Sequence, residues 1–305
     1  MRPQKTLAPE RRGRFLGAVY AWPMGLWFAL FFLAPLVIIF VYSFMGKALH
    51  GGVIMEFTLR AYRQVFNPRY GIILLRTMQI ALVATAASVL IALPCGYAMA
   101  RSPRQNLLLI LVMIPFWTNS LIRIFAWMSI LSNDGVINTL LLKLGLTKDY
   151  IKLLYNLKAV TLVSFYMYLP YAILPVFTAI DRFDFSLLEA ARDLGAGKLT
   201  AMIKVLIPNI RSGIITAVIF TFIPVFGTYT VPYLVGGQDS YIMIGTIIAD
   251  QINKTPNWPL AAAFSVFITL FSTAGVLWMM IIERTEKAQK KSAPEGGAKE
   301  ESRAL

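Results

Sequence analysis

The sequence predicts an all-α membrane protein with six transmembrane helices. Of its 305 residues, 57% are hydrophobic and only 14% are charged, a composition that is improbable for a soluble protein. The apolar residues concentrate in six windows of more than 20 residues, which is the length that a helix needs to cross a bilayer. One cysteine and one histidine exclude a disulfide framework and most transition-metal sites.

Each window has the length of a bilayer-spanning helix. The windows are 22–44, 77–100, 106–131, 159–180, 214–235 and 260–282. The first follows basic residues, as a signal peptide's apolar region would, but it is about twice as long and lacks a small-residue cleavage site, so we expect a retained anchor. Internal prolines are tolerated in membrane helices where neighbouring helices or a cavity satisfy the freed carbonyl groups. We therefore expect kinked helices around a passage.

The distribution of basic residues predicts the orientation of the spans. The two tails and the even-numbered loops carry 18 lysines and arginines, and the odd-numbered loops carry nine, although the first loop alone has five. Because cytoplasmic loops are enriched in these residues, both termini should be cytoplasmic. The same enrichment explains the net charge of +14 without nucleic-acid binding. We expect a cytoplasmic tail over 1–21, a membrane domain over 22–282 and a charged, solvated tail over 283–305.

The fourth loop, residues 181–213, is the longest cytoplasmic connection and predicts a helix, a turn and a second helix. Ser186 should cap the first helix, with Glu189 three residues later as its capping-box partner. The glycine-rich stretch Gly195-Ala196-Gly197 supplies the turn. A second helical pattern follows and ends at Pro208. Such a compact protrusion can approach a groove of another protein closely.

The same loop carries a family signature. It reads Glu189-Ala190-Ala191, three residues, Gly195, nine residues and Val205-Leu206-Ile207-Pro208. The pattern resembles the EAA motif of the permease subunits of bacterial binding-protein-dependent ABC importers, with two mild aliphatic replacements. The resemblance implies the type I ABC importer permease (MetI-like) fold. In that family this loop carries the coupling helices that sit in a groove of the ATP-binding subunit. The implied ATPase-coupling residues are Glu189, Ala190, Ala191, Gly195 and Pro208.

Three further segments narrow the resemblance to the spermidine/putrescine importer permeases, on the side of the B-type and H-type subunits. They are 115–123, 188–196 and 257–263, and the likeness extends from about Phe57 to Trp278. The resemblance implies a polyamine permease of the bacterial inner membrane. Its implied partners are ATP-binding cassette subunits, a second homologous permease and an extracytoplasmic solute-binding protein. Related permeases share parts of these motifs, so another small organic solute is the alternative substrate.

The sequence lacks the residues that an enzyme would need. It has no nucleophile with a base, no metal set and no phosphate-binding loop. The stretch 195–198 superficially matches a phosphate loop, but Arg192 replaces the first glycine and Leu199 replaces the hydroxyl that would hold magnesium. We therefore expect ATP and its magnesium on a partner subunit and no cofactor on this chain. A stand-alone secondary transporter would be favoured by proton-relay acids or an inverted repeat, and neither appears.

Arg123 is the exceptional charge inside the windows. A buried arginine in a membrane is a functional candidate, but this residue can also snorkel to the surface, and both interpretations stay open. Arg123 cannot attract a polyamine directly. It would instead pair with an acidic group of a partner subunit or order the segment 115–123.

Aromatic rings can provide the cation contacts that the apolar windows lack. A ring face attracts an ammonium group, and a passage needs several weak contacts so that the solute can leave. Trp117 leads because it follows Pro115 and precedes polar residues that are costly to turn toward lipid. Acidic side chains near the fifth loop, Asp239 and Asp250, could meet cations at the outer mouth. The predicted path residues are Trp117, Asn119, Arg123, Tyr166, Tyr229 and Asp250.

Overall fold

The described part of the chain is almost entirely helical. The computed structural model describes residues 22–49, 51–237 and 243–292. The helices are α1 (Trp22–Tyr42), α2 (Arg60–Val65), α3 (Pro68–Ala100), α4 (Gln105–Trp117), α5 (Ser120–Leu131), α6 (Val136–Lys143), α7 (Leu157–Asp181), α8 (Ser186–Asp193), α9 (Lys198–Asn209), α10 (Arg211–Gly227), α11 (Thr230–Val235), α12 (Ile244–Asn253) and α13 (Trp258–Ser292). Two short antiparallel strands, β1 (Gly46–Lys47) and β2 (Val53–Ile54), pair Gly46 with Ile54 and Lys47 with Val53.

Six membrane crossings are consistent with the lengths and compositions of these helices. The helices α1, α3 and α7 and the Trp258–Ile281 part of α13 are each long and apolar enough to span a bilayer. Two further candidates are bent pairs: α4 meets the segment Ser120–Lys143 at 88°, and α9 meets α10 at 73°. If each bent pair crosses once, the six predicted spans are recovered, and the helical membrane fold class is confirmed.

The edges of the predicted windows need correction. Helix α3 begins nine residues before its window, because Pro68 suits the first helical position and the side chain of Asn67 accepts the Arg69 N–H at 3.0 Å. Two basic residues assigned to the first loop, Arg69 and Arg76, therefore lie inside a helix. Helix α13 runs ten residues past the predicted span, through the start of the expected tail, to Ser292.

Two predicted spans are interrupted rather than merely kinked. The third window breaks at Thr118–Asn119, between α4 and α5, and the fifth window breaks at Thr228–Tyr229, between α10 and α11. Irregular backbone at membrane depth is tolerated only where protein covers it or a water-filled cavity adjoins it. Each break therefore needs cover from protein or contact with a polar cavity.

The larger of two compact units, residues 67–249 and 268–305, contains a core in which α3, α7 and α10 pack together. Helix α3 presents mostly small side chains to this core at helical spacing, which permits the close backbone approach typical of membrane helices. The small buried residues of α3 are Thr77, Ala81, Ala84, Thr85, Ser88, Ala92 and Gly96. One buried cluster joins α3 to α5, α7, α10 and α11, and a second joins α3 to α7, α8, α9 and α10.

The smaller unit, residues 1–66 and 250–267, is described from residue 22 and is organised around the end of α1. The buried Ser43 hydroxyl donates to the Phe40 carbonyl at 2.6 Å and lies 2.8 Å from the Tyr62 hydroxyl. The Phe44 ring stacks on Phe57, with centroids 5.7 Å apart, and contacts Tyr62 at 5.0 Å. These contacts tie the segment after α1 to α2.

Candidate functional site

The first candidate site is the hairpin of α8 and α9, whose connecting turn agrees with the prediction. The Ala196 N–H donates to the Ala191 carbonyl at 3.0 Å, and the Gly195 N–H donates to the Arg192 carbonyl at 2.9 Å, which is a Schellman motif. Gly195 has φ +87°, and no atom lies within 4 Å of a Cβ built there. Within this chain, the left-handed backbone conformation therefore explains the glycine, and crowding does not.

The predicted cap at the start of α8 is wrong. Ser186 is the first helical residue, and the Asp184 carboxylate accepts its backbone N–H at 3.0 Å. An aspartate two residues upstream reaches this donor in an Asx turn, so the capping box between Ser186 and Glu189 does not form. Hydrogen bonds from the Ser186 side chain and backbone lower the pKa of Asp184. The ionised cap is therefore present at neutral pH and is lost as the pH falls through that lowered pKa.

The predicted stop at Pro208 is also displaced. Helix α9 contains a π-helical stretch, Met202–Leu206, in which the Ile207 N–H donates to the Met202 carbonyl. The helix then runs to Asn209, and the 73° bend follows before α10. Pro208 therefore lies in the last turn of α9. The missing proline N–H coincides with a wider helical turn that already departs from the regular hydrogen-bond ladder.

The hairpin presents a polar and apolar surface of its own. Leu188 is buried in the second core cluster, whereas Glu189 and Ala190 on the same helix are exposed. At the tip, Leu194 is 90% exposed and Leu199 is 71% exposed. Two large apolar side chains are thus exposed beside charged ones at the tip of the hairpin.

Phe185 attaches the hairpin to the end of α3. Its ring lies edge-on to Tyr97, with centroids 6.1 Å apart, and the Arg101 guanidinium lies 5.1 Å from its centroid. Phe183 packs against the same ring at 5.6 Å. A cleft of about 310 Å³ opens between α3 and the hairpin, and its charged lining residues are Arg101, Glu189, Arg192 and Lys198.

The second candidate site is the break between α4 and α5, which brings three predicted path residues together. Trp117 ends α4 with 80% of its surface exposed. Asn119 caps α5 by accepting the Leu121 N–H at 2.8 Å, and the Thr118 hydroxyl donates to the Pro115 carbonyl at 2.6 Å. These local bonds satisfy the chain on both sides of the break, and they leave the indole free to meet another molecule.

A chain of aromatic contacts leads from this break toward the second one. The Arg123 guanidinium lies 4.4 Å from the Phe116 centroid, and the Phe116 ring stands edge-on to Tyr171 at 6.4 Å. Tyr171 contacts Tyr168 at 5.9 Å. Tyr168 interacts with the Thr228 side chain at the break between α10 and α11.

The break between α10 and α11 is closed on one side by α12. A Cβ added to Gly245 would lie 2.5 Å from the Thr228 carbonyl oxygen and 2.8 Å from the Gly227 carbonyl oxygen. Only a glycine allows α12 to approach these backbone atoms so closely. On the other side, Tyr229 is 52% exposed. The predicted path residue Tyr229 thus lies in the break itself.

The remaining predicted path residues lie in other surroundings. Tyr166 stands edge-on to Trp127, with centroids 5.3 Å apart, and both pack against the first core cluster. Asp250, in the smaller unit, forms an ion pair with Lys254 at 3.0 Å. Asp239 lies outside the described residues.

Three features of the two candidate sites were not predicted from the sequence. The first is the break at Thr228, for which the neighbouring Pro224 and Gly227 were a signal, since both weaken a helix. The second is Gly245, whose role depends on a contact between distant segments. The third is the capping of α8 by Asp184. Aspartate is as suitable for capping a helix as serine, the residue type of the predicted cap Ser186.

Comparisons with known proteins identify the family. The family model described as "Binding-protein-dependent transport system inner membrane component" matches residues 88–287, which include the hairpin and both breaks. The spermidine/putrescine transport system permease protein PotB of Escherichia coli (strain K12) is 37% identical over 246 residues, covering 80% of this chain and 89% of PotB.

Solved structures share the fold. A bacterial ABC transporter involved in the import of the acidic polysaccharide alginate matches with a TM-score of 0.68 at 18% identity, covering 90% of this chain and 96% of that chain. The alginate ABC transporter in complex with an alginate pentasaccharide-bound periplasmic protein matches with a TM-score of 0.64 at 16% identity and the same coverage. The predicted ABC importer permease fold is confirmed. The chain belongs to the inner membrane components of binding-protein-dependent transport systems, and it is a permease subunit of an ABC importer.

Proposed function

We propose that this permease forms half of the membrane path of an ATP-driven importer for polyamines such as spermidine and putrescine. The observation that supports polyamines as the substrate is the 37% identity with a spermidine/putrescine permease over 246 residues. The second half of the path is a homologous permease, because six spans from one chain are too few to enclose a solute. A separate solute-binding protein delivers the polyamine on the outer side.

Coupling to ATP hydrolysis is assigned to the α8–α9 hairpin. Both termini and this hairpin face the cytoplasm, as the excess of basic residues in the tails and even-numbered loops favours. The exposed Leu194 and Leu199 give the tip the apolar surface that a groove of the ATPase can bury. Glu189 and Ala190 lie exposed on α8 beside it. ATP and magnesium bind the partner, and this chain supplies no cofactor site.

The solute path is assigned to the two helix breaks. Trp117 and Tyr229 are exposed at these breaks, and the tyrosines between them offer further ring faces and hydroxyl groups. A cation gains only about 0.5 to 2 kcal/mol from a ring face, which suits a path that must release its solute. Selectivity is therefore divided, and the soluble binding protein supplies most of it.

Uptake by the reconstituted complex tests this function. Proteoliposomes would hold both permeases and the ATPase, with the binding protein outside, and would receive radiolabelled spermidine, putrescine, a neutral amino acid or a neutral sugar. We expect ATP-dependent uptake of a polyamine and polyamine-stimulated ATP hydrolysis. In the same assay, the variant Glu189→Lys tests coupling: it should insert normally and lose most of the polyamine-stimulated ATP hydrolysis.

Two results would contradict the proposal in different ways. Uptake of another solute, with no polyamine uptake, would leave the ABC permease and remove the polyamine assignment. Normal stimulation of ATP hydrolysis in the Glu189→Lys complex would remove the coupling role of the hairpin and keep the substrate.

A further inference from the structure

Among the described residues, Arg123 carries a charge that no carboxylate neutralises. The residue lies in the first turn of α5, and the Nε and Nη1 atoms are buried without a hydrogen-bond partner. Arginine side chains are cationic in proteins. Among the described residues, no carboxylate forms an ion pair with it.

The aromatic neighbours of Arg123 compensate for this only in part. Its guanidinium lies 4.4 Å from the Phe116 centroid. A ring face does not replace the hydrogen bonds of two buried N–H groups. The described residues therefore leave these two N–H groups in need of an acceptor.

The surface beside Arg123 is apolar and uncovered. Ile122 and Phe125 of α5 are 65% and 54% exposed, and we call these two residues the α5 patch. Rings and aliphatic chains of this kind can face lipid, but lipid tails cannot accept hydrogen bonds from a buried cation. A covering protein surface can supply both an apolar contact and a carboxylate.

The length of α4 argues against a lipid phosphate as the acceptor. Helix α4 has 13 residues and is therefore about 20 Å long, whereas the hydrocarbon core is about 30 Å thick. If α4 starts at one membrane surface, its far end and the adjoining turn of α5 lie within the hydrocarbon region. Headgroup phosphates lie outside that region, and a side chain of a neighbouring transmembrane helix can reach it.

We propose that the α5 patch docks against the second permease and that Arg123 pairs there with an aspartate or glutamate of that subunit. The inference rests on the proposed function, because it takes the second permease as the occupant. It also explains why an arginine can lie beside a path for cations, since its charge is neutralised by the partner's carboxylate.

Recovery of the permease pair tests the proposal without any solute or ATP. One permease would carry an affinity tag, and the amount of the other recovered from nanodiscs would be measured. Arg123→Met removes the charge and keeps much of the volume, so we expect pair recovery to fall by roughly tenfold or more. Arg123→Lys should retain much of the pairing. The control Arg104→Met, at an exposed arginine just before α4, should pair normally.

Photo-cross-linking of the otherwise unchanged protein covers the case in which Arg123→Met does not fold. A photoreactive amino acid in place of Ile122 should cross-link to a peptide of the second permease that contains or adjoins an acidic residue. Exchanging the charges, with Arg123→Glu and an arginine at that acidic position, should restore pairing that either change alone abolishes.

Two outcomes would overturn the inference. One is wild-type pair recovery by Arg123→Met. The other is cross-linking from position 122 to lipid or to the binding protein, with none to the second permease. Neither outcome depends on transport, so failure of this interface is distinguishable from failure of the polyamine assignment.

Discussion

Replacing Gly195 should weaken coupling through the backbone of the α8–α9 hairpin. The residue has φ +87°, and a Cβ there meets no atom within 4 Å. The cost of a side chain in the free hairpin is therefore the conformational cost of the left-handed region, about 1 to 2 kcal/mol. That cost lowers the population of the correctly folded turn relative to its alternatives by roughly 5-fold to 30-fold.

Three variants separate backbone strain from crowding against the ATPase. Alanine adds only a Cβ, leucine adds a large side chain, and asparagine is large but tolerates positive φ. If the turn conformation decides coupling, solute-stimulated ATP hydrolysis should follow the order wild type, Gly195→Asn, and then Gly195→Ala with Gly195→Leu. Insertion into the membrane should be the same for all four proteins.

A different order would refute this reasoning. If Gly195→Ala couples well while Gly195→Asn and Gly195→Leu both fail, side-chain size at the docked surface is decisive. If Gly195→Leu couples like the wild type, the hairpin turn has no role in coupling.

Three further predictions concern the breaks and the topology. Gly245→Ala places a Cβ 2.5 Å from a backbone oxygen and should lower the thermal stability in detergent, whereas Gly275→Ala, which meets nothing within 4 Å, should not. Trp117→Ala should slow transport by roughly tenfold or less, Trp117→Phe should keep most of the rate, and equal damage by both would exclude a cation–π role. In a Cys95→Ser background, new cysteines in the fourth loop should resist an impermeant thiol reagent applied outside, and those in the third and fifth loops should react; the reverse labelling would invert the topology.

Hydropathy was sufficient to predict the helical membrane fold class, because each crossing needs a long apolar window whatever its neighbours are. It could not locate the break at Asn119. A window average treats one asparagine as a small decrease, whereas the backbone responds to the side-chain oxygen that accepts the Leu121 N–H. The polar residues after Trp117 suggested solute contacts in the sequence, whereas in the structure they mark the start of a new helix.

Long-range contacts were harder to predict than local ones. The turn at Gly195 follows from its own residues, and its Schellman bonds join atoms within a few positions. By contrast, the close approach of Gly245 to the Thr228 carbonyl oxygen requires helices that are distant in the chain to pack together. The spacing of aromatic residues along one sequence does not determine which rings meet.

The attachment of the hairpin through Phe185 has a mechanical consequence. Ring contacts with Tyr97 and Arg101 have no fixed donor or acceptor, so the angle between the rings can change without breaking a hydrogen bond. Helix α8 has eight residues and is about 12 Å long, with its apolar tip at one end and Phe185 just before the other. A force applied at the tip would thus reach the last turn of α3 through the Phe185 contacts and the second core cluster through the buried Leu188.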